Sequence, residues 1–316
     1  MEIALDLLLL VVGFVLLIQA AKVFVDASVN IAKRLKIPTV VIGLTVVAFG
    51  TSAPEVVISV SAAIGGSSDL AIANAVGSNL FNLLFIVGFC AMIYPFSVRM
   101  KTISRDYWFS ILGTVGLLVL VIIFSGGNIP RLASLGLFVA FSVYMFFVVR
   151  SALRNKVDEE EEEDAKPKPL WKSIILAIIG IGVIVGAGQL TVLSAVDIAT
   201  ALGVSERIIG LTIISMGTSL PELVTTLIAC RKKEGEFALG FIIGSSIFNI
   251  FVVLGIAGVI IPLSVDPGVI FDIAVLTIGT LFFYRLATTG KRLVRVEGLL
   301  MLLIYVGYMT WVLIHG

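Results

Sequence analysis

The sequence predicts an all-α polytopic membrane protein of ten transmembrane helices, arranged as two inverted five-helix repeats, on three observations. Hydrophobic residues fill 59% of the 316 positions and charged residues only 14%, a balance unlike that of soluble globular domains. Apolar runs of about 20 residues, the length that crosses a bilayer, recur ten times. Two polar stretches, Gly50-Thr51-Ser52-Ala53-Pro54-Glu55 and Gly217-Thr218-Ser219-Leu220-Pro221-Glu222, interrupt such runs 167 positions apart.

The first run, near 4–24, follows Met1-Glu2, an acid where a cleaved leader would be positive, and no small-residue cleavage site follows it, so it is expected to remain as a span. The other spans are expected near 38–65, 69–95, 106–125, 132–150, 170–192, 207–230, 237–262, 268–286 and 296–314. Lysine and arginine gather in alternate connections: Lys33, Arg34 and Lys36; Arg99, Lys101 and Arg105; Arg150, Arg154, Lys156, Lys166, Lys168 and Lys172; Arg231, Lys232 and Lys233; Arg285, Lys291, Arg292 and Arg295. These connections are expected on the cytoplasmic side, with both termini outside, because the intervening ones hold only Arg131 and Arg207. Lys22, four residues before Asp26, reads as a snorkelling or locally paired residue.

The run Asp158 to Asp164, all acidic, followed by Lys166-Pro167-Lys168-Pro169, cannot bury apolar surface and reads as a solvated cytoplasmic linker. It lacks the turn glycine and oxygen spacing of a calcium loop. The chain therefore divides into a first half, 1–150, with its repeat unit at about 28–88, a linker, 151–169, and a second half, 170–316, with its repeat unit at about 195–255.

Residues 43–88 align with 210–255 without a gap, and 16 of the 46 pairs are identical, which marks a duplication. Gly77-Ser78 matches Gly244-Ser245, and Phe81-Asn82 matches Phe248-Asn249. Equivalent spans are five apart, an odd number, so the second half is expected to cross in the opposite sense and to face the first near the midplane. Thr51 and Glu55 share a helix face, as do Ser78 and Asn82, because each pair is four residues apart. Pro54 and Pro221 withhold an amide from the carbonyls of Gly50 and Gly217, and the resulting bends are expected to free carbonyls near Ala48 to Thr51 and Ser215 to Thr218. Carboxylate, hydroxyl, amide and carbonyl oxygens without His or Cys suit hard cations such as Ca²⁺ and Na⁺, whereas Zn²⁺ or copper would call for nitrogen or sulfur.

Other classes fit less well. A net charge of +1 gives no case for nucleic acid, and Cys90 and Cys230 read as packing residues. No catalytic set is evident, since the single histidine is His315 in the tail. A cation channel would use similar oxygens but draws its pore from oligomeric symmetry, which a twofold internal repeat does not favour.

Gly43-Leu44-Thr45 leading into Gly50 to Glu55, then Gly77-Ser78-Asn79 and Phe81-Asn82, resembles the α-repeats of the cation/calcium exchanger superfamily, and the second half repeats the pattern. It looks like the sodium/calcium exchanger branch, near its archaeal and bacterial members, because the proton/calcium branch has an Asn-rich motif where Thr51-Ser52 and Thr218-Ser219 stand. The resemblance implies exchange of Na⁺ for Ca²⁺ by alternating access, with proton/calcium exchange as the alternative, no cofactor, and a lipid-embedded monomer. It implies that Glu55 and Glu222 ligate Ca²⁺ with the carbonyls of Thr51 and Thr218. Sodium would use the Ala48 carbonyl, Thr51 and Ser78 on one side and the Ser215 carbonyl, Thr218 and Ser245 on the other, with Asn82 and Asn249 central and Ser52 and Ser219 in support. It further implies that the first and sixth helices move together across the other eight. Asn249 stands where several relatives have Asp, Phe241 and Ser246 replace asparagines, and Ala73 replaces a glycine; the missing carboxylate argues against potassium co-transport.

Overall fold

A computed structural model describes residues 2–66, 68–98, 100–154, 169–203, 215–266, 268–290 and 292–315. Most of the acidic linker and the start of the seventh expected span, with Arg207 and Thr212, lie outside these residues. The helices are α1 (Glu2–Leu35), α2 (Thr39–Thr51), α3 (Ala53–Ile64), α4 (68–93), α5 (Met100–Ile123), α6 (Arg131–Arg154), α7 (Leu170–Ala201), α8 (Leu220–Arg231, preceded by a turn at Ser215–Gly217), α9 (Gly235–Ile260), α10 (Val269–Gly290) and α11 (Arg295–His315). Among the described residues eight helices are long and apolar enough to cross a membrane, and α2 with α3 makes a ninth span bent by 46°.

The first and sixth spans are longer than expected from their apolar runs. Helix α1 has 34 residues and α7 has 32, about 50 Å each, against a hydrocarbon layer of about 30 Å. Nothing in either sequence breaks the helix sooner: α1 stops where Lys36 turns left-handed at φ 53° ahead of Pro38, and α7 stops before Gly203 at φ 78°. The two helices pack along each other through a reciprocal pair of small residues. A Cβ on Gly13 would strike Thr191, and one on Gly180 would stand 3.0 Å from the Phe24 Cβ. Gly13 to Gly180 and Phe24 to Thr191 are both steps of 167, so the duplication extends into packing that the aligned stretch does not include.

Helix α9 is enclosed on all sides except at its end, where Val259 and Ile260 are exposed, and its seam with α2 lets backbone meet backbone. A Cβ on Gly43 would lie 2.6 Å from the Phe237 carbonyl oxygen, and one on Gly244 would lie 2.7 Å from that of Leu44. Outward faces are apolar, as lipid contact requires: Leu5, Leu8 and Val15 on α1, Phe146 and Phe147 on α6, and Leu303 and Val306 on α11 are exposed.

Two short antiparallel ribbons join connections. β1 (Phe96–Ser97) pairs with β4 (Arg292–Leu293), and β2 (Asn128–Ile129) pairs with β3 (Leu263–Ser264). β1 precedes α5 and β2 follows it, so the ribbons lie at opposite ends of that span.

Asp26 forms an ion pair with Lys232, just beyond α8, and the same ammonium donates to the Lys22 carbonyl at 3.2 Å. The partner of Asp26 therefore comes from the second half of the chain. Cys90 and Cys230 are buried free thiols lying against each other, a proximity that their spacing in the sequence does not reveal.

Candidate functional site

Both hexapeptides break their helix at the same serine. Ser52 adopts φ −83°, ψ 9° and Ser219 φ −93°, ψ 10°, and each is the N-cap of the half-helix that follows. The prolines fall in the first turn of α3 and α8, where a missing amide hydrogen goes unmissed. Glu55 and Glu222 also sit in those first turns, at the positive end of a helix dipole, and neither has any exposure. The pattern Ser-x-x-Glu normally forms a capping box, but neither serine caps its own helix through its side chain. Ser52 Oγ instead donates across the halves to Glu222 Oε1 at 3.4 Å.

The half-helices pack crosswise. Helix α3 lies against α4 and against 249–253 of α9, while α8 lies against α9 and against 81–86 of α4. Those two segments, Phe81–Ile86 and Asn249–Val253, are π-helical turns at equivalent positions, a widening frequent at functional sites. No residue type in them announces it, and the apolar runs at 69–95 and 237–262 predict only that a helix spans each. Asn82 and Asn249 stand at the start of these turns, fully buried.

Four carboxamides and carboxylates therefore converge with the serines. Both oxygens of Glu55, Glu222 Oε2, the hydroxyls of Ser78, Ser219 and Ser245, both amide atoms of Asn82 and Asn249 Oδ1 are buried and make no hydrogen bond among the described residues. Glu55 and Glu222 are near enough for each to feel the other's charge. Thr51 is buried and its hydroxyl donates to the Val47 carbonyl at 3.1 Å, and Thr218 is half-buried. The Ala48 carbonyl accepts the Ser52 amide at 3.1 Å, whereas the Ser219 amide donates to Met216 at 3.2 Å, so the two bends are not copies in their main-chain bonding. Ser215 opens the described part of its repeat, and its side chain lies outside the described residues.

Two carboxylates elsewhere in the spans are satisfied. Asp106 accepts from Tyr144 at 2.8 Å and from Arg105 Nη2 at 2.9 Å, and Asp272 accepts from Tyr308 at 2.9 Å. Leaving several buried polar groups unpaired costs about 1–3 kcal/mol for each neutral one and more for a charge, so the contrast makes the centre the candidate site for a ligand. Asn74 shows how the halves diverge: its Nδ2 donates to Ser59 Oγ at 2.9 Å and to the Glu55 carbonyl at 3.4 Å. Phe241 occupies the equivalent place in the second half, and Thr226, the equivalent of Ser59, has no partner for its hydroxyl.

This fold and centre define a polytopic membrane protein with a buried, oxygen-lined site shared between two related halves. The model of the sodium/calcium exchanger protein family matches residues 5–150 and 172–314. The chain belongs to that family, within the cation/calcium exchanger superfamily. It is 40% identical to a protein of Alkalimonas amylolytica named as an antiporter, CaxA, over 94% of this chain and 95% of that one. It is 36% identical to the inner membrane protein YrbG of Escherichia coli over 82% and 81%, and 30% identical to the sodium/calcium exchanger MaX1 of Methanosarcina acetivorans over 98% of each. A solved structure of the sodium-calcium exchanger NCX_Mj superposes with a TM-score of 0.85 at 28% identity, covering 98% of this chain and 99% of that one.

Proposed function

We propose that this cation antiporter exchanges Na⁺ for Ca²⁺ by alternating access at a single site built on Glu55 and Glu222. The observation that carries the reading is that oxygens of both carboxylates, Ser78, Ser219, Ser245, Asn82 and Asn249 are buried without a partner among the described residues, on half-helices and π-turns of the two halves that pack on each other. Two carboxylates neutralise one Ca²⁺, and the remaining shell of about six to eight oxygens comes from the hydroxyls, amides and bend carbonyls, including those of Ala48, Thr51, Ser215 and Thr218. Among the described residues no cluster of three His, Cys, Asp or Glu offers the ligands of a softer metal. Sodium as counter-ion is supported by the Thr-Ser pairs at 51–52 and 218–219 and by the name of MaX1. Solved structures of NCX_Mj were obtained after soaking with Na⁺, Ca²⁺ or Sr²⁺.

We read the architecture as ten spans in two inverted halves, with α8 as the described part of the seventh. Exchange of the halves carries β1 onto β3 and β4 onto β2, turning one ribbon into the other at the opposite end of the bundle, as an inverted repeat requires. The α1 and α7 pair is the mobile unit in this reading, and its placement is asymmetric. Gly50 faces Ile181 and Gly217 faces Val192, both on α7. A true twofold would set Gly217 against Phe14 of α1, and the opposite state is reached when the halves exchange these contacts. Both termini lie outside and the linker is cytoplasmic in this reading, and the monomer suffices because both halves of the site are in one chain.

The test is Ca²⁺ flux in proteoliposomes under an opposing Na⁺ gradient, repeated with an opposing proton gradient. Uptake driven by Na⁺ supports the proposal; uptake driven only by protons makes the protein a proton/calcium antiporter, and flux without either makes it a channel. Competition is a second check: Ca²⁺ affinity falls as Na⁺ rises if the site is shared, and simultaneous binding of both refutes a shared site.

A further inference from the structure

The two central asparagines are equivalent in the duplication, yet they are held differently. Asn249 Nδ2 donates to Asn79 Oδ1 at 3.1 Å, and Asn79 Nδ2 donates to the main-chain carbonyl of Ser246 at 3.1 Å. Among the described residues Asn82 has no hydrogen-bond partner at either amide atom. One difference between the repeats underlies this: position 79 is Asn and its equivalent, 246, is Ser, too short to offer Asn82 the same amide.

The polarity of this chain of bonds is forced. A main-chain carbonyl only accepts, so Asn79 must turn its NH₂ toward Ser246 and its oxygen toward Asn249. That oxygen also only accepts, so Asn249 must answer with its NH₂. Its own oxygen is then left on the far side, and Asn249 Oδ1 is indeed buried without a protein partner. Both Asn79 and Asn249 are fully enclosed, so water does not compete for these bonds.

We infer that Asn79 is a positioning residue that sets the Asn249 amide to present oxygen, and never NH₂, to the transported cation. It acts through Asn249 and does not itself hold the ion. The inference rests on the proposed cation site. Reversal of the Asn249 amide would aim two partly positive hydrogens at the ion and remove one ligand from the shell, so anchoring it to a backbone carbonyl fixes the ligand set on the second half. The first half has no such anchor, and the Asn82 amide is free to turn.

A double-mutant cycle on Ca²⁺ binding tests this, using the purified full-length protein and calorimetric titration with calcium chloride. Asn79→Ala should weaken Ca²⁺ binding about tenfold, the upper range of one buried hydrogen bond. In the Asn249→Ala background the same change should cost less than about twofold, while in the Asn82→Ala background the full loss should remain. Equal losses in every background would make Asn79 a general support of the fold and overturn the inference, as would no loss at all. Asn79→Ser, which copies the residue at position 246, serves the same cycle if the alanine variant does not fold. Wild-type binding that Glu222→Gln abolishes confirms the site independently; if that binding is absent the cation-site reading fails, whereas if it is present and the cycle is additive only the role of Asn79 fails.

Discussion

Gly244→Ala tests whether the seam between α2 and α9 sets the geometry of the ion centre. The added methyl would stand 2.7 Å from both Cα and O of Leu44 and 3.0 Å from Cβ of Ala48. Carbon atoms rest at about 3.5–4.0 Å, and these neighbours belong to or stand directly on helix backbone, so no rotamer change relieves the contact. The helices must part by about 1 Å. Overpacking of this kind costs about 1–3 kcal/mol in stability. Ser245 is the next residue on one side of the seam and the Ala48 carbonyl lies on the other, so parting the helices spreads two proposed ligand groups. Misplacement by about 1 Å costs a preorganised site up to about a hundredfold, and a loss of tenfold or more in Ca²⁺ affinity is expected. The assay is Ca²⁺ titration of purified protein beside its thermal unfolding, with Gly116→Ala as control because nothing lies within 4 Å of its added methyl. Wild-type affinity and unfolding temperature in Gly244→Ala would refute the claim that this close approach positions the site.

Further outcomes follow from individual contacts. Asn249→Asp sets a carboxylate oxygen against Asn79 Oδ1, acceptor against acceptor, in a site that already holds two carboxylates, so Ca²⁺ transport should become pH-sensitive or acquire a requirement for an additional monovalent ion; unchanged pH and ion dependence would remove Asn249 from the pathway. Lys232→Ala releases Asp26, and because the side chains are 30% and 58% exposed the pair is worth less than about 1 kcal/mol, so the balance between the two access states should shift by no more than about fivefold. A larger shift measured as a change in sidedness of Ca²⁺ affinity would mean that this pair is a principal lock. Shortening the stretch between Asp158 and Pro167 while keeping the spans joined should leave exchange intact, since that run reads as a solvated spacer; loss of flux in a well-folded variant would give it a regulatory role.

The number and place of most spans, the duplication, and the choice of Glu55, Glu222, Ser78, Ser245, Asn82 and Asn249 as candidate residues could be read without coordinates. The reason is environmental: in hydrocarbon every polar group is costly, so a carboxylate, two hydroxyls and a proline recurring in apolar runs stand out from their background. Run length was a poorer guide to helix ends, because α1 and α7 continue through polar residues until Lys36 and Gly203 change the backbone. What only the tertiary structure decided are the relations between side chains distant in the chain. Ser52 serves Glu222 and not its own helix, Asp26 meets Lys232 and not Lys22, Cys90 meets Cys230, and Asn79 orients Asn249 while Asn82 stays unheld. Each depends on which atoms the packing brings within about 3 Å, and hydrogen-bond direction at that range is set by three-dimensional order that residue type and spacing do not encode.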